Sequence, residues 1–458
     1  MPINQPQTQD GNEAGLRREL SAGQMAMVAV GGSIGTGLLL GSGAAIKLAG
    51  PSVIVSYVLA ALIMGVVALA MGEMASVHPA AGSFGVYGEL YLNPWAGFVS
   101  RYGYWLAMVG SIGSEMVAAA TYARYWFPGV PAWVLVLGFG GLLVGVNLRP
   151  VRSYAWFEYW FAMLKVVTIV GFMALGAAFL GSGRVAPHYT ADGGFFPHGM
   201  VAPLIATAFA IFTFGGVEMV AISSGEARSP QEVARATKIM FAMLASIYIG
   251  AITVLVGVMP WQQAGVAESP FVTVFRQAGL TRASDVMNFV VLTAALSGAN
   301  ASLYVAARMG FSLARTGYAP AGLGKLTRHG SPLRSLLASS AGIAGAAWIT
   351  ARYPETAFLH MLGVALFCGA IAWMVALAAH IVFRRRMSRE QVAALALRVP
   401  GGAVSSALAF VGMGAAVCAM WVTPLRMTLT SGVAALAALT VAYFVTRGMR
   451  ARAAIGQK

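Results

Sequence analysis

Long apolar runs separated by short polar or basic connections fill the chain from Ser21 to Arg447. A run of 18 or more apolar residues can span a bilayer as a helix, and about twelve recur. They fall near residues 23–45, 51–76, 95–123, 131–148, 155–180, 199–223, 236–259, 284–314, 333–351, 356–383, 402–422 and 427–446. Continuous helix is the default in lipid, because each unpaired N–H or C=O there costs several kcal/mol. Two runs break that rule with glycine-rich interruptions, Gly31-Gly32-Ser33-Ile34-Gly35-Thr36-Gly37 in the first and Phe212-Thr213-Phe214-Gly215-Gly216-Val217-Glu218 in the sixth. Backbone freed at such places needs a use, and discontinuous helices at matching positions of two halves point to a solute-binding site.

The interrupted runs lie five apart, which predicts two five-helix repeats of opposite orientation followed by two further spans. The expectation is an all-α polytopic membrane protein divided as a tail at 1–20, a first repeat at 21–185, a second at 186–386, two appended spans at 387–447 and a tail at 448–458. The repeat is inferred from topology, since the halves share no strong residue-level identity. The longest external connection surrounds His188–Gly194 and is placed over the entrance. Pro79-Ala80-Ala81-Gly82-Ser83 precedes a short helix to Leu92, and Ser229-Pro230-Gln231-Glu232 has the form of a capping box with proline at the first helical position.

Composition agrees: 58% of the residues are hydrophobic and 10% charged, outside the ordinary soluble range. The net charge of +15 would suggest nucleic acid in a soluble protein. With the N-terminus inside, the 30 Lys and Arg residues instead sort as 21 cytoplasmic, 7 external and 2 within spans. Arg17, Arg18, Arg149, Arg152 and Arg384-Arg385-Arg386 are among the inside group. That bias places both termini in the cytoplasm, with the lipid bilayer rather than nucleic acid as the chain's surroundings. Residues 1–20 lack the apolar core of a signal peptide. Cys368 and Cys418 fall inside spans and imply no disulfide. His188 and His198 share an external loop, but nothing completes a metal site with them. Nucleophile-elbow, Walker and dinucleotide glycine patterns lack a strand–turn–helix context. No catalytic residue, metal or cofactor is therefore expected, and the sequence is silent on oligomeric state.

Glycine lowers the cost of leaving helical geometry and lets backbone approach a ligand. Unwinding around Ile34-Gly35 would present the N–H groups of Gly35, Thr36 and Gly37 at the positive end of the following half-helix, where a carboxylate is favoured. Ser33 would offer a carbonyl to an ammonium. Gly31 and Gly35 also fit a small-residue packing pattern, but the second interruption favours binding. There, Phe212, Thr213 and Gly215 supply carbonyls for the amino group, and Phe212 and Phe214 can close over the solute. Glu218 either marks a functional pathway or accepts hydrogen bonds from unwound backbone of the first span. Lys165, in apolar Phe161–Val167, can carry a proton or stand in for a metal ion, with snorkelling to the interface as the alternative. Glu115 joins a proton relay, neutralises Lys165 or faces a cationic substrate. Arg308 forms an intracellular gate or a structural pair, and Ser297, Asn300 and Ser302 give the eighth span a polar edge suited to lining a pocket.

Gly31–Gly37 resembles the first-span signature of the amino acid permeases of the amino acid–polyamine–organocation superfamily. Phe214–Glu218 followed by Gly225-Glu226-Ala227-Arg228-Ser229-Pro230 is similar to that family's sixth span and exit. Ser269-Pro270-Phe271, Val291–Ser297, Ala307-Arg308-Met309 and Phe383–Arg386 continue the likeness in order. The resemblance implies a leucine-transporter-type fold of five plus five helices with helices 1 and 6 broken. It also implies proton-driven amino acid uptake, with Ser33, Gly35, Thr36 and Gly37 holding the carboxylate and amine opposite Phe212, Thr213 and Gly215. Lys165 matches the lysine that stands where sodium-coupled relatives bind an ion. Leu38-Leu39 lacks the phenylalanine common after the first break, and Gly298-Ala299 replaces bulkier polar residues; both touch the expected pocket.

The resulting expectation is an inner-membrane amino acid:proton symporter working by alternating access. An exchanger of amino acid against a metabolite or amine is the alternative, and a membrane sensor is disfavoured by the absence of a large output domain.

Overall fold

The computed structural model describes residues 21–79, 83–147, 154–183, 185–191, 193–327 and 332–455. The expected tail at 1–20, loop residues 80–82, Arg149, Arg152 and Asp192 lie outside them. The helices, in order, are α1 (Ala22–Ser33), α2 (Ser42–Ala49), α3 (Val53–Val77), α4 (Ser83–Tyr91), α5 (Pro94–Ala123), α6 (Ala132–Asn147) and α7 (Tyr154–Gly181). There follow α8 (Ala202–Thr213), α9 (Met219–Ile222), α10 (Pro230–Val258), α11 (Pro270–Gln277) and α12 (Thr281–Arg315). The chain closes with α13 (Leu333–Ser339), α14 (Ala341–Arg352), α15 (Ala357–Arg386), α16 (Arg389–Ala393), α17 (Ala403–Ala419) and α18 (Arg426–Ile455). Among the described residues, eight helical stretches are long and apolar enough to cross a membrane, and α6 and α8 are shorter apolar helices.

Helix starts follow side-chain chemistry. Ser21 caps α1 in a reciprocal box with Gln24, and Asn93 caps α5 ahead of Pro94, each satisfying an orphan N–H of a first turn. Ser229 caps α10 ahead of Pro230, so that helix begins six residues before the apolar run that predicted it. At the centre α5 packs along both α15 and α12, while α10 packs on α3. Small residues permit this closeness: a Cβ on Gly110 of α5 would lie 2.7 Å from the Ala365 backbone N of α15.

A polar knot that the apolar pattern concealed joins α3, α15 and the start of α17. Fully buried Glu73 lies 2.6 Å from Arg384 Nε and 3.3 Å from His380 Nε2, and accepts from the Val399 N–H at 2.6 Å. His380 Nδ1 meets Ser406 Oγ at 2.8 Å. Removing one member of a buried charge pair strands the other, which costs about 3–5 kcal/mol. Glu73→Ala is therefore expected to lower the melting temperature in detergent well beyond Glu73→Gln. An unchanged melting temperature in Glu73→Ala would refute this role.

Candidate substrate site between two interrupted helices

The first interruption begins where α1 stops. Ile34 is extended (φ −78°, ψ 95°) although its N–H still reaches Val30 O at 3.1 Å. The chain resumes in a π-helical turn over Gly37–Gly41 and continues into α2. Hydroxyls compensate for the broken ladder: Ser42 Oγ donates to Leu38 O at 2.5 Å and Ser269 Oγ to Leu39 O at 2.6 Å. Two outside groups seize carbonyls at the end of α1, with Tyr248 OH donating to Ser33 O at 2.8 Å and Lys165 Nζ to Gly31 O at 3.0 Å.

The second interruption runs from Phe214 to Glu218 as consecutive tight turns. Phe214 N–H donates to Ile211 O at 3.1 Å, Gly215 N–H to Phe212 O at 2.9 Å and Val217 N–H to Phe214 O at 3.3 Å. Gly216 has φ 102°, in the region that favours glycine, and a Cβ there would collide with the Ser33 side chain. The two interruptions thus touch, and only a residue without a side chain permits it. Glu218 folds back within its own segment, Oε2 accepting from Gly216 N–H at 3.1 Å, rather than from first-segment backbone.

Between the interruptions lies a cavity of about 60 Å³, room for roughly four waters. Of the residues expected at the site, Ser33, Gly35, Gly37, Phe212, Thr213 and Gly215 line it, as do Glu115 and Glu218. Thr36 sits just behind the wall, its N–H donating to Glu115 Oε1 at 3.2 Å. Glu115 fits between two glycines: a Cβ on Gly35 would stand 2.5 Å from Oε1, and one on Gly298 would stand 2.9 Å from the same carboxyl group. The bulk missing at Gly298 is the space that carboxylate occupies.

Lys165 lies outside the lining but against it. It is 1% exposed, which removes snorkelling, and Nζ donates to Ser297 Oγ at 3.1 Å as well as to Gly31 O. One ammonium therefore bridges the end of α1 and the middle of α12, where Ser297 precedes the Gly298 against which the Glu115 carboxyl packs. Three expected residues stand elsewhere. Phe214 is buried edge-on against Tyr248 with ring centroids 5.0 Å apart, Asn300 accepts from Asn147 Nδ2 at 2.6 Å, and exposed Arg308 stacks over Tyr304 at 3.8 Å. Of the polar edge on α12, Ser302 lines the cavity and pairs with Ser111 at 3.1 Å.

Tyr104 of α5 and Trp373 of α15 also line the cavity and approach the Glu218 carboxylate. Neither was foreseen, because an aromatic in an apolar helix faces lipid as readily as a pocket. The usable signal was small residues in the same helices, such as Gly369, on which a Cβ would stand 3.4 Å from the Trp373 ring.

Interrupted helices meeting at a cavity, within an all-helical apolar chain, are the arrangement expected of a membrane carrier. Residues 24–453 match the family described as amino acid permease, and the chain belongs to that family. It is 36% identical over 395 residues to the gamma-aminobutyric acid permease of Bacillus subtilis, covering 85% of this chain and 84% of the relative. A probable threonine/serine transporter of the same organism is 34% identical over 442 residues, with 94% and 95% covered. The aromatic amino acid transport protein AroP of Escherichia coli K12 is 36% identical over 383 residues, with 82% and 84% covered. The chain is thus a multi-pass membrane protein of amino acid transport and not an enzyme.

Proposed function

We propose that this permease imports an amino acid across the inner membrane by proton symport and alternating access. Twelve spans would arise from α1 with α2, α8 with α9 and α13 with α14, and one each from α3, α5, α6, α7, α10, α12, α15, α17 and α18, the first ten spans forming two inverted repeats of five. The bias of basic residues supports a cytoplasmic position for both termini. Relatives named for gamma-aminobutyric acid, threonine or serine, and aromatic amino acids share solutes with an amine and a carboxylate but differ in what joins or flanks them. A site made chiefly of backbone at Gly35, Gly37, Thr213 and Gly215 suits such a shared pair of charges.

The observation that carries the coupling is the bond from Thr36 N–H to Glu115. An ionised Glu115 occupies a backbone donor that a substrate carboxylate needs, and two carboxylates at one donor repel. Protonating Glu115 removes that charge, so proton and substrate enter together. Lys165, bridging Gly31 and Ser297, reports the charge change to α1 and α12, and Glu218, which lines the same cavity, is a second carboxylate for the proton path. In proteoliposomes an inward proton gradient is expected to concentrate substrate in the native protein. Glu115→Gln is expected to exchange substrate without responding to the gradient. Counterflow alone in the native protein would instead assign an exchanger.

A further inference from the structure

Resting on the alternating-access reading, we infer that Glu232 clasps the far end of α1 to α10 and sets how readily the inner half of the first interrupted segment swings away. The sequence at Ser229–Glu232 predicts a reciprocal capping box, in which the glutamate returns to the backbone of the capping serine. Only half of it forms. Ser229 Oγ accepts from Glu232 N–H at 3.3 Å, but Glu232 Oε2 accepts from Ala22 N–H at 2.5 Å. Ala22 is the first residue of α1 and 3% exposed, and its N–H has no acceptor within its own helix.

One carboxylate therefore lies at the starts of two helices, whose positive ends both favour an anion. Ser21 and Gln24 satisfy each other in their own box, leaving the Ala22 donor to Glu232. At its other end α1 is held by Lys165 on Gly31 and Tyr248 on Ser33. Those contacts lie beside the break, where a half-helix pivots. Ala22 lies some 18 Å away along a twelve-residue helix, where a swing moves the chain most. A bond at that end opposes the motion with the longest lever.

The test uses full-length protein in inside-out vesicles, with Cys368→Ser and Cys418→Ser and a reporter Ala29→Cys, a buried position on α1. Labelling by a membrane-impermeant maleimide reads how often α1 opens. Glu232→Ala is expected to speed labelling about tenfold, as loss of a charge-assisted bond implies. Ala22→Pro removes the same donor from the other side, at a position where helices tolerate proline, and is expected to match it. The double variant should label no faster than either single one, and Glu232→Gln, which keeps an acceptor oxygen, should recover most of the loss. Parent-like rates in both single variants, or a double variant whose rate is the product of the two, would overturn the clasp. Equal acceleration at a buried control, Ala60→Cys on α3, would overturn it too, because the loosening would then be general. In the parent, a labelling rate indifferent to every amino acid would refute alternating access itself, whatever the variants do.

Discussion

Gly35→Leu is expected to abolish binding and uptake of every amino acid the protein carries, while the protein still reaches the membrane. The cause is local and steric. The first side-chain carbon would stand 2.5 Å from Glu115 Oε1, well inside contact distance, and the remaining atoms would enter the cavity that Gly35 lines. Either Glu115 leaves Thr36 N–H or the interruption shifts, and a misplacement of about 1 Å at such a site costs on the order of 100-fold. Because the blocked groups are backbone, the loss does not depend on the substrate side chain. Radiolabelled uptake together with ligand-induced thermal stabilisation in detergent measures it. Uptake of any amino acid at the native rate would contradict the placement of the site.

Lys165→Ala separates binding from coupling. The variant is expected to bind substrate within about tenfold of native affinity, since the side chain lies outside the cavity lining and a lost hydrogen bond to a charged group is worth about 1.5–3 kcal/mol, shared between the two states being compared. Gradient-driven accumulation is expected to fall to equilibration. The ammonium that ties Gly31 O to Ser297 Oγ is gone, and the carboxylate of Glu115 then titrates without a neighbouring cation to pass the change to α1 and α12. Lys165→Arg keeps a charge but imposes a planar fork of five donors on a site built for a compact ammonium, and is not expected to restore accumulation. Native accumulation in Lys165→Ala would remove the lysine from the mechanism.

Much of this architecture was legible in the sequence, for a physical reason. Lipid forbids unpaired backbone, so departures from continuous helix stand out as glycine clusters. Both interruptions fall where Gly31–Gly37 and Phe212–Glu218 placed them, and six residues named for their backbone line the cavity. Side-chain facing was less legible. In helices apolar all round, nothing in the spacing separates a residue that faces a cavity from one that faces a neighbouring helix. Asn300 therefore turns to Asn147 rather than inward, and Phe214 packs on Tyr248, while Tyr104 and Trp373 line the site unannounced. The capping signal at Ser229–Glu232 fixed the start of α10 but not the destination of the glutamate, because Ala22 lies 210 residues away.

A cryo-EM map of the protein with a transported amino acid bound tests the central claim most directly. The account predicts solute density between Gly35–Gly37 and Thr213–Gly216, its carboxylate on the N–H groups that open the outer half-helix and its amine on the facing carbonyls. Density lodged elsewhere, with the cavity between the interruptions empty, would contradict it.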